Sequence, residues 1–214
     1  MAFRIPAALR GRRLVVVDVE GNGRTPPEII EIATLATDTA AGDVTSEADV
    51  RSWLIRPAAP ITAIVTRKVH GISNAEVAAR PAWSAVAGEV AAVLAGRVLV
   101  AHHASVEHRV LSAHLPHWAP PAVLDTLQLT KRLWPGLAGG YSLSALIAHA
   151  DIDPGEFESI GRHRAAYDTW CTWQLFARLV EDGGLTWDRL LAAAARPRAA
   201  VPDVARVNEP EGLW

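Results

Sequence analysis

Asp18 and Glu20 lie two residues apart at the end of the apolar run Leu14–Val17. Side chains alternate along an extended segment, so both carboxylates fall on one side of a sheet. Holding two like charges together away from water costs several kcal/mol unless a cation answers them. The pair asks for a metal ion, or else marks an exposed strand end. Glu107 sits on a predicted helix where it shares a face with Val110, Leu111 and His114, so its carboxylate follows an apolar stripe. Asp168 shares a helical face with Ala165, Thr172, Leu175 and Leu179, and His163 stands five residues before it. A carboxylate in a first helical turn is also favoured by the helix dipole, the bland reading of Asp168. Together the three segments supply four carboxylates and one histidine, each at the end of an element that should converge on one edge of a sheet.

These residues need elements to bring them together. The β-branched run Leu14–Val17 reads as a buried central strand, followed by strands over Glu28–Thr37 and Ser46–Arg56. Ile61–Lys68 and a segment capped by Asn74 read as short helices, and Pro81 opens a helix to about Leu94. Arg97–Ala101 is a fourth strand, Ser105–Leu115 a helix, and Ala122–Leu124 a fifth strand ending at Asp125. Helices over Leu127–Leu133, Leu143–Ala150, Ala165–Glu181 and Thr186–Ala195 complete the chain. Strands first and alternating elements later imply an α/β fold, a mixed five-stranded sheet with helices on both faces. The expected domain is 12–195, with 196–214 as a tail that is either a strap or partly disordered. Trp170 and Trp173 lie opposite Asp168 on their helix, so that side needs a cover, either the Thr186–Ala195 helix with its Trp187 or a second copy of the chain.

Composition narrows the chemistry. In 214 residues, half of them hydrophobic, 21 Lys plus Arg face 23 Asp plus Glu, for a formal net charge of −2. A protein that holds polyanions on a generally basic surface is excluded, so any phosphate must be met locally. The single cysteine, Cys171, rules out an intramolecular disulfide framework and a Cys-based zinc ribbon. No apolar run approaches a membrane span, and the expected location is cytoplasmic. Gly21 and Gly23 mimic a dinucleotide fingerprint, but Pro26 occupies its third glycine position and a strand follows. His102, His103, His108, His114 and His117 suggest zinc, yet neither His-Glu-x-x-His nor His-x-x-Glu-His occurs.

Asp18-x-Glu20, Glu107 and His163-x4-Asp168, in that order, resemble the three motifs of the DEDDh exonuclease superfamily, the DnaQ-like proofreading nucleases with a ribonuclease H-like fold. The resemblance spans roughly Leu14 to Glu181 and includes His70-Gly71-Ile72 and Asp125-Thr126. It departs from the family at Glu107, where Asp is usual, at His103, where Asn is usual, at Val106, and at Gly21 and Asn22, where threonines are common. The resemblance implies 3′–5′ hydrolysis of phosphodiester bonds in single-stranded DNA or RNA, with release of nucleoside monophosphates. It implies Asp18, Glu20, Glu107 and Asp168 as ligands of two divalent cations, Mg²⁺ or Mn²⁺, and His163 as general base. Gly21, Asn22, His70 and His103 would touch the substrate. The expected partners are nucleic-acid 3′ ends and a DNA polymerase, the chain itself being a monomer or homodimer. The rival is a degenerate member that binds nucleic acid or a polymerase without cutting.

Overall fold

The structure is a computed structural model that describes residues 2–39 and 43–194. Five strands form its main sheet: β2 (Leu14–Gly21), β3 (Ile29–Ala36), β5 (Val50–Leu54), β6 (Val98–Ala101) and β7 (Val123–Asp125), in the order β5-β3-β2-β6-β7. The hairpin side is antiparallel, whereas β2 runs parallel to β6 and β6 to β7. The parallel pairs need crossovers, supplied by α3 (Trp83–Leu94) into β6 and α4 (Ser105–His114) into β7. The expected mixed sheet with helices on both faces is therefore present.

Period-two alternation decides which residue faces which layer. Leu14 and Val16 pack with α7 (Ala165–Asp182), whereas Val15 and Val17 pack with Val86, Val90 and Leu94 of α3 and Val110 and Leu111 of α4. Asp18 and Glu20 share the parity of Leu14 and Val16, so they continue the α7 face beyond the apolar core. α4 lies on the other face.

Two expectations need correction. Ser46–Arg56 is not one strand: β4 (Val44–Ser46) and β5 are separated by a 3-10 turn over Glu47–Asp49. The cause is local, since the Asp49 carboxylate accepts from the Ser46 N–H at 2.7 Å and from its hydroxyl at 3.2 Å, folding the chain back between them. A strand at the start of the chain was also missed. β1 (Ala2–Arg4) pairs antiparallel with β4 as a second, two-stranded sheet.

That small sheet helps cover the far side of α7. Trp173 donates its indole N–H to the Thr45 hydroxyl at 2.6 Å and meets the Phe3 ring edge-on. Trp170 and Trp173 share one apolar cluster with Leu190 and Trp187 of α8 (Trp187–Ala194), so the cover is α8 together with the first residues of the chain. Ile5 and Leu9 belong to the same cluster, which extends the core upstream of residue 12. The segment 196–214 lies outside the described residues. Among the described residues no helix is long and apolar enough to cross a membrane.

Candidate active site

Three chain segments meet at the C-terminal end of β2. Asp18 and Glu20 are brought there by the strand itself, Glu107 by the first turn of α4 and Asp168 by the first turn of α7. Glu20, His163 and Asp168 each offer a ligand atom within 4.8 Å of the others. Asp18 lies close enough to Asp168, Glu20 and Glu107 for all three to raise its pKa. The two helices arrive from opposite faces of the sheet, so the carboxylates surround the strand end.

Burial with few partners makes this group unusual. Glu20, Glu107 and Asp168 are 9 %, 7 % and 8 % exposed. Oδ2 of Asp18 and Oε2 of Glu107 are buried with no hydrogen-bond partner. Among the described residues none of the four carboxylates makes an ion pair. Burial, followed by repulsion from neighbouring carboxylates, pushes Glu20 up to about 8. Burial pushes Glu107 to about 8, with Asp125 adding to the rise. Asp168 goes to about 7, again through burial first, against a hydrogen bond from the His163 backbone. Orphaned, buried, oxygen-only donors are what a hard divalent cation answers, so these residues fit such an ion.

His163 is exposed and held at φ 59°, left-handed backbone that histidine tolerates better than most side chains. His103, at the turn from β6 into α4, has φ 63° and is also exposed. Both histidines leave the core at sharp turns.

The remaining expected contacts are divided. His70 is buried, and its Nδ1 accepts from the Ile72 N–H at 3.0 Å, which leaves the proton on Nε2, while the Gly21 backbone acts on the ring and opposes the fall in its pKa. Burial holds its pKa below the ordinary imidazole value. Gly21 ends β2 at a register shift in the ladder. Asn22 is fully buried and wholly committed: its Nδ2 donates to Glu28 and the Ala59 carbonyl, its Oδ1 accepts from the Arg24 and Glu28 N–H groups, and its own N–H bonds to the Glu28 carbonyl. It builds the turn, and its polar groups are taken. Gly23, at φ 74°, lets that turn lie against Thr62 and Val65, where a Cβ would collide.

Three groups support the site in roles that the sequence reading did not assign. His102 lies between the Thr126 hydroxyl and the Tyr141 carbonyl, each 3.0 Å away, and ties the end of β6 to the loop before α6 (Leu143–His149). Asp125 caps α5 (Thr126–Leu133) through bonds from the Leu127 and Gln128 N–H groups. Glu31 stands opposite Glu20 in the β2–β3 register and holds Arg164. A lone charge inside Ile29-Ile30-Glu31-Ile32 was the available signal for it.

Comparison with known proteins agrees with this geometry. Exodeoxyribonuclease 10 of Escherichia coli (strain K12) is 29 % identical over 184 residues, 86 % of this chain and 76 % of that protein. A DNA polymerase III subunit epsilon-like protein of Rhodobacter capsulatus is 34 % identical over 169 residues, 78 % of this chain but 23 % of that protein. The solved structure of exonuclease X in complex with 5′ overhanging duplex DNA superimposes with a TM-score of 0.67 at 29 % identity, covering 84 % of this chain and 98 % of that one. Further neighbours such as a histone mRNA 3′-exonuclease, at 14 % identity and a TM-score of 0.60, show the fold alone, which is the ribonuclease H-like one expected. The RNase T family of exonucleases matches residues 15–176. With its carboxylates and histidine gathered at one strand end, the chain belongs to the RNase T exonuclease family, as a 3′–5′ exonuclease.

Proposed function

We propose that the protein removes nucleoside monophosphates from the 3′ end of single-stranded DNA or RNA, using Mg²⁺ or Mn²⁺. The observation that carries this reading is the convergence of Glu20, His163 and Asp168 within 4.8 Å, beside buried unpaired oxygens of Asp18 and Glu107. Two cations held by Asp18, Glu20, Glu107 and Asp168 would offset the carboxylate charge and supply Lewis acidity to the phosphodiester. His163 is the general base and takes a proton from the attacking water; its exposure leaves the ring free to approach. The buried Nε2–H of His70 donates to a non-bridging phosphate oxygen, and Gly21 lets the terminal nucleotide approach the backbone. Exposed His103, at the turn from β6 into α4, is a further substrate contact. Glu107 in place of the usual aspartate keeps the same donor type on a longer arm.

DNA is favoured over RNA because the relative spanned over most of its length is named an exodeoxyribonuclease. The kinship with an epsilon-like protein suits repair or proofreading in the cytoplasm, alone or beside a polymerase. The test uses 5′-labelled single-stranded DNA, RNA and mismatched duplex with Mg²⁺ or Mn²⁺. A ladder of 3′-shortened products is expected, and Asp18→Ala and His163→Ala should remove it. Absence of laddering on all three substrates would overturn the enzymatic reading.

A further inference from the structure

Glu31 is 5 % exposed and faces the same layer as Glu20, its partner across the β2–β3 ladder. Both of its oxygens are occupied. The Arg164 Nε lies 3.2 Å from Oε1 and 3.1 Å from Oε2, the second guanidinium nitrogen is 2.9 Å from Oε1, and the Ala165 N–H donates to Oε2 at 2.9 Å. Ala165 opens α7, and Arg164 at the N-cap position supplies no side-chain cap of its own. Glu31 thus caps, from a strand 134 residues earlier, the helix that carries Asp168.

His163 is the residue just before Arg164, in a left-handed conformation that its own chain does not favour. Asp168 lies one turn later, its N–H bonded to the Arg164 carbonyl at 3.0 Å. Arg164 also reaches Glu76 at 3.3 Å, on α2 (Asn74–Val77), the short helix that follows His70. One guanidinium therefore joins the base, the cation ligand on α7 and the segment bearing His70.

We infer that Glu31 and Arg164 are a positioning pair that sets the orientation of His163 and Asp168 for phosphodiester hydrolysis. A buried ion pair is weak evidence of stabilisation, because an apolar pair of similar volume often serves as well. Here the fork geometry and the backbone bond to Ala165 give the pair a use that an apolar pair lacks, since they fix direction. Misplacing a catalytic group by about 1 Å can cost about 100-fold in rate.

This inference rests on the nuclease reading above. Its test compares the wild type with Glu31→Gln, which keeps an acceptor for the Ala165 N–H, and Arg164→Lys, which keeps the charge without the fork. Expected are a fall in kcat of about 10–100-fold for both, a KM for single-stranded DNA within about threefold of wild type, and displaced His163 imidazole resonances in the NMR spectrum of metal-free protein. Combining the two substitutions should cost little beyond either one, because the groups act as a unit. Wild-type kcat per folded molecule in both variants, or unmoved His163 resonances, would overturn the pairing role. Should Glu31→Gln fail to fold, Arg164→Lys decides by the same readouts. An inactive wild type would instead strike the nuclease reading, with the resonances still reporting on the pair.

Discussion

The two ends of β2 treat charge in opposite ways. At its start, where β6 begins and β3 ends, Asp38 takes the Arg97 Nε at 2.6 Å and the Arg13 Nε at 3.1 Å. Burial alone would raise the Asp38 carboxyl, but hydrogen bonds from Arg97 and Arg13 outweigh it and hold the group below its usual value. At the other end, among the described residues, Asp18, Glu20, Glu107 and Asp168 make no ion pair, and each is pushed upward. Arg164, whose charge acts on Glu20, is spent on Glu31. The same sheet can close its charges, so leaving four open at one end marks a place kept for ligands that the chain does not itself supply.

That contrast can be broken one residue at a time. The largest effect belongs to Asp18→Asn, expected to lower kcat by roughly 1,000-fold or more. It should also raise the stability of metal-free protein by about 1–2 kcal/mol at alkaline pH, since a repelled buried charge is removed. Nuclease assays and thermal melts in EDTA would show both, and a loss of stability would contradict the picture of an uncompensated site. His163→Ala should reduce kcat by roughly 100–10,000-fold with Mn²⁺ affinity nearly unchanged, because in the proposed mechanism the imidazole moves a proton and the carboxylates hold the ions. A matching fall in Mn²⁺ affinity would make it a ligand instead.

Asp38→Asn probes the closed end. It should cost about 1–2 kcal/mol by weakening charge-assisted hydrogen bonds to Arg97 and Arg13, with kcat per folded molecule unchanged. A changed kcat would mean that the two ends communicate. The pH dependence of metal-free stability reads the open end without mutation. Glu20 and Glu107 rise from 4.5 to about 8, so the folded state binds protons that the unfolded chain has released. Stability from these groups therefore falls as pH climbs through that window and levels off above it. Melting temperatures in EDTA should decline accordingly, and the increase caused by Mn²⁺ should widen toward pH 8.5.

Much of the site was readable because its signals are local. Alternation placed Asp18 and Glu20 on one face, and helical spacing turned Glu107 and Asp168 inward. The order of the motifs carried the resemblance. What stayed hidden depends on contacts between distant segments. Glu31 meets Arg164 across 133 residues, and no periodicity connects them. β1 is three residues long and exists as a strand by pairing with β4. The part Asn22 plays in building its turn, through Glu28 and Ala59, was likewise invisible in the sequence. Neighbours in space set the roles of such residues.

The claim that the open end is a divalent-cation site is tested most directly by titrating Mn²⁺ into metal-free protein by calorimetry, between pH 6 and 8.5, in buffers of differing ionisation enthalpy. Raised carboxylates must surrender protons to bind an ion, so the account predicts two ions per chain, proton release, and affinity that increases with pH and is lost in Asp18→Asn. Binding that ignores pH, or that survives Asp18→Asn, would contradict it.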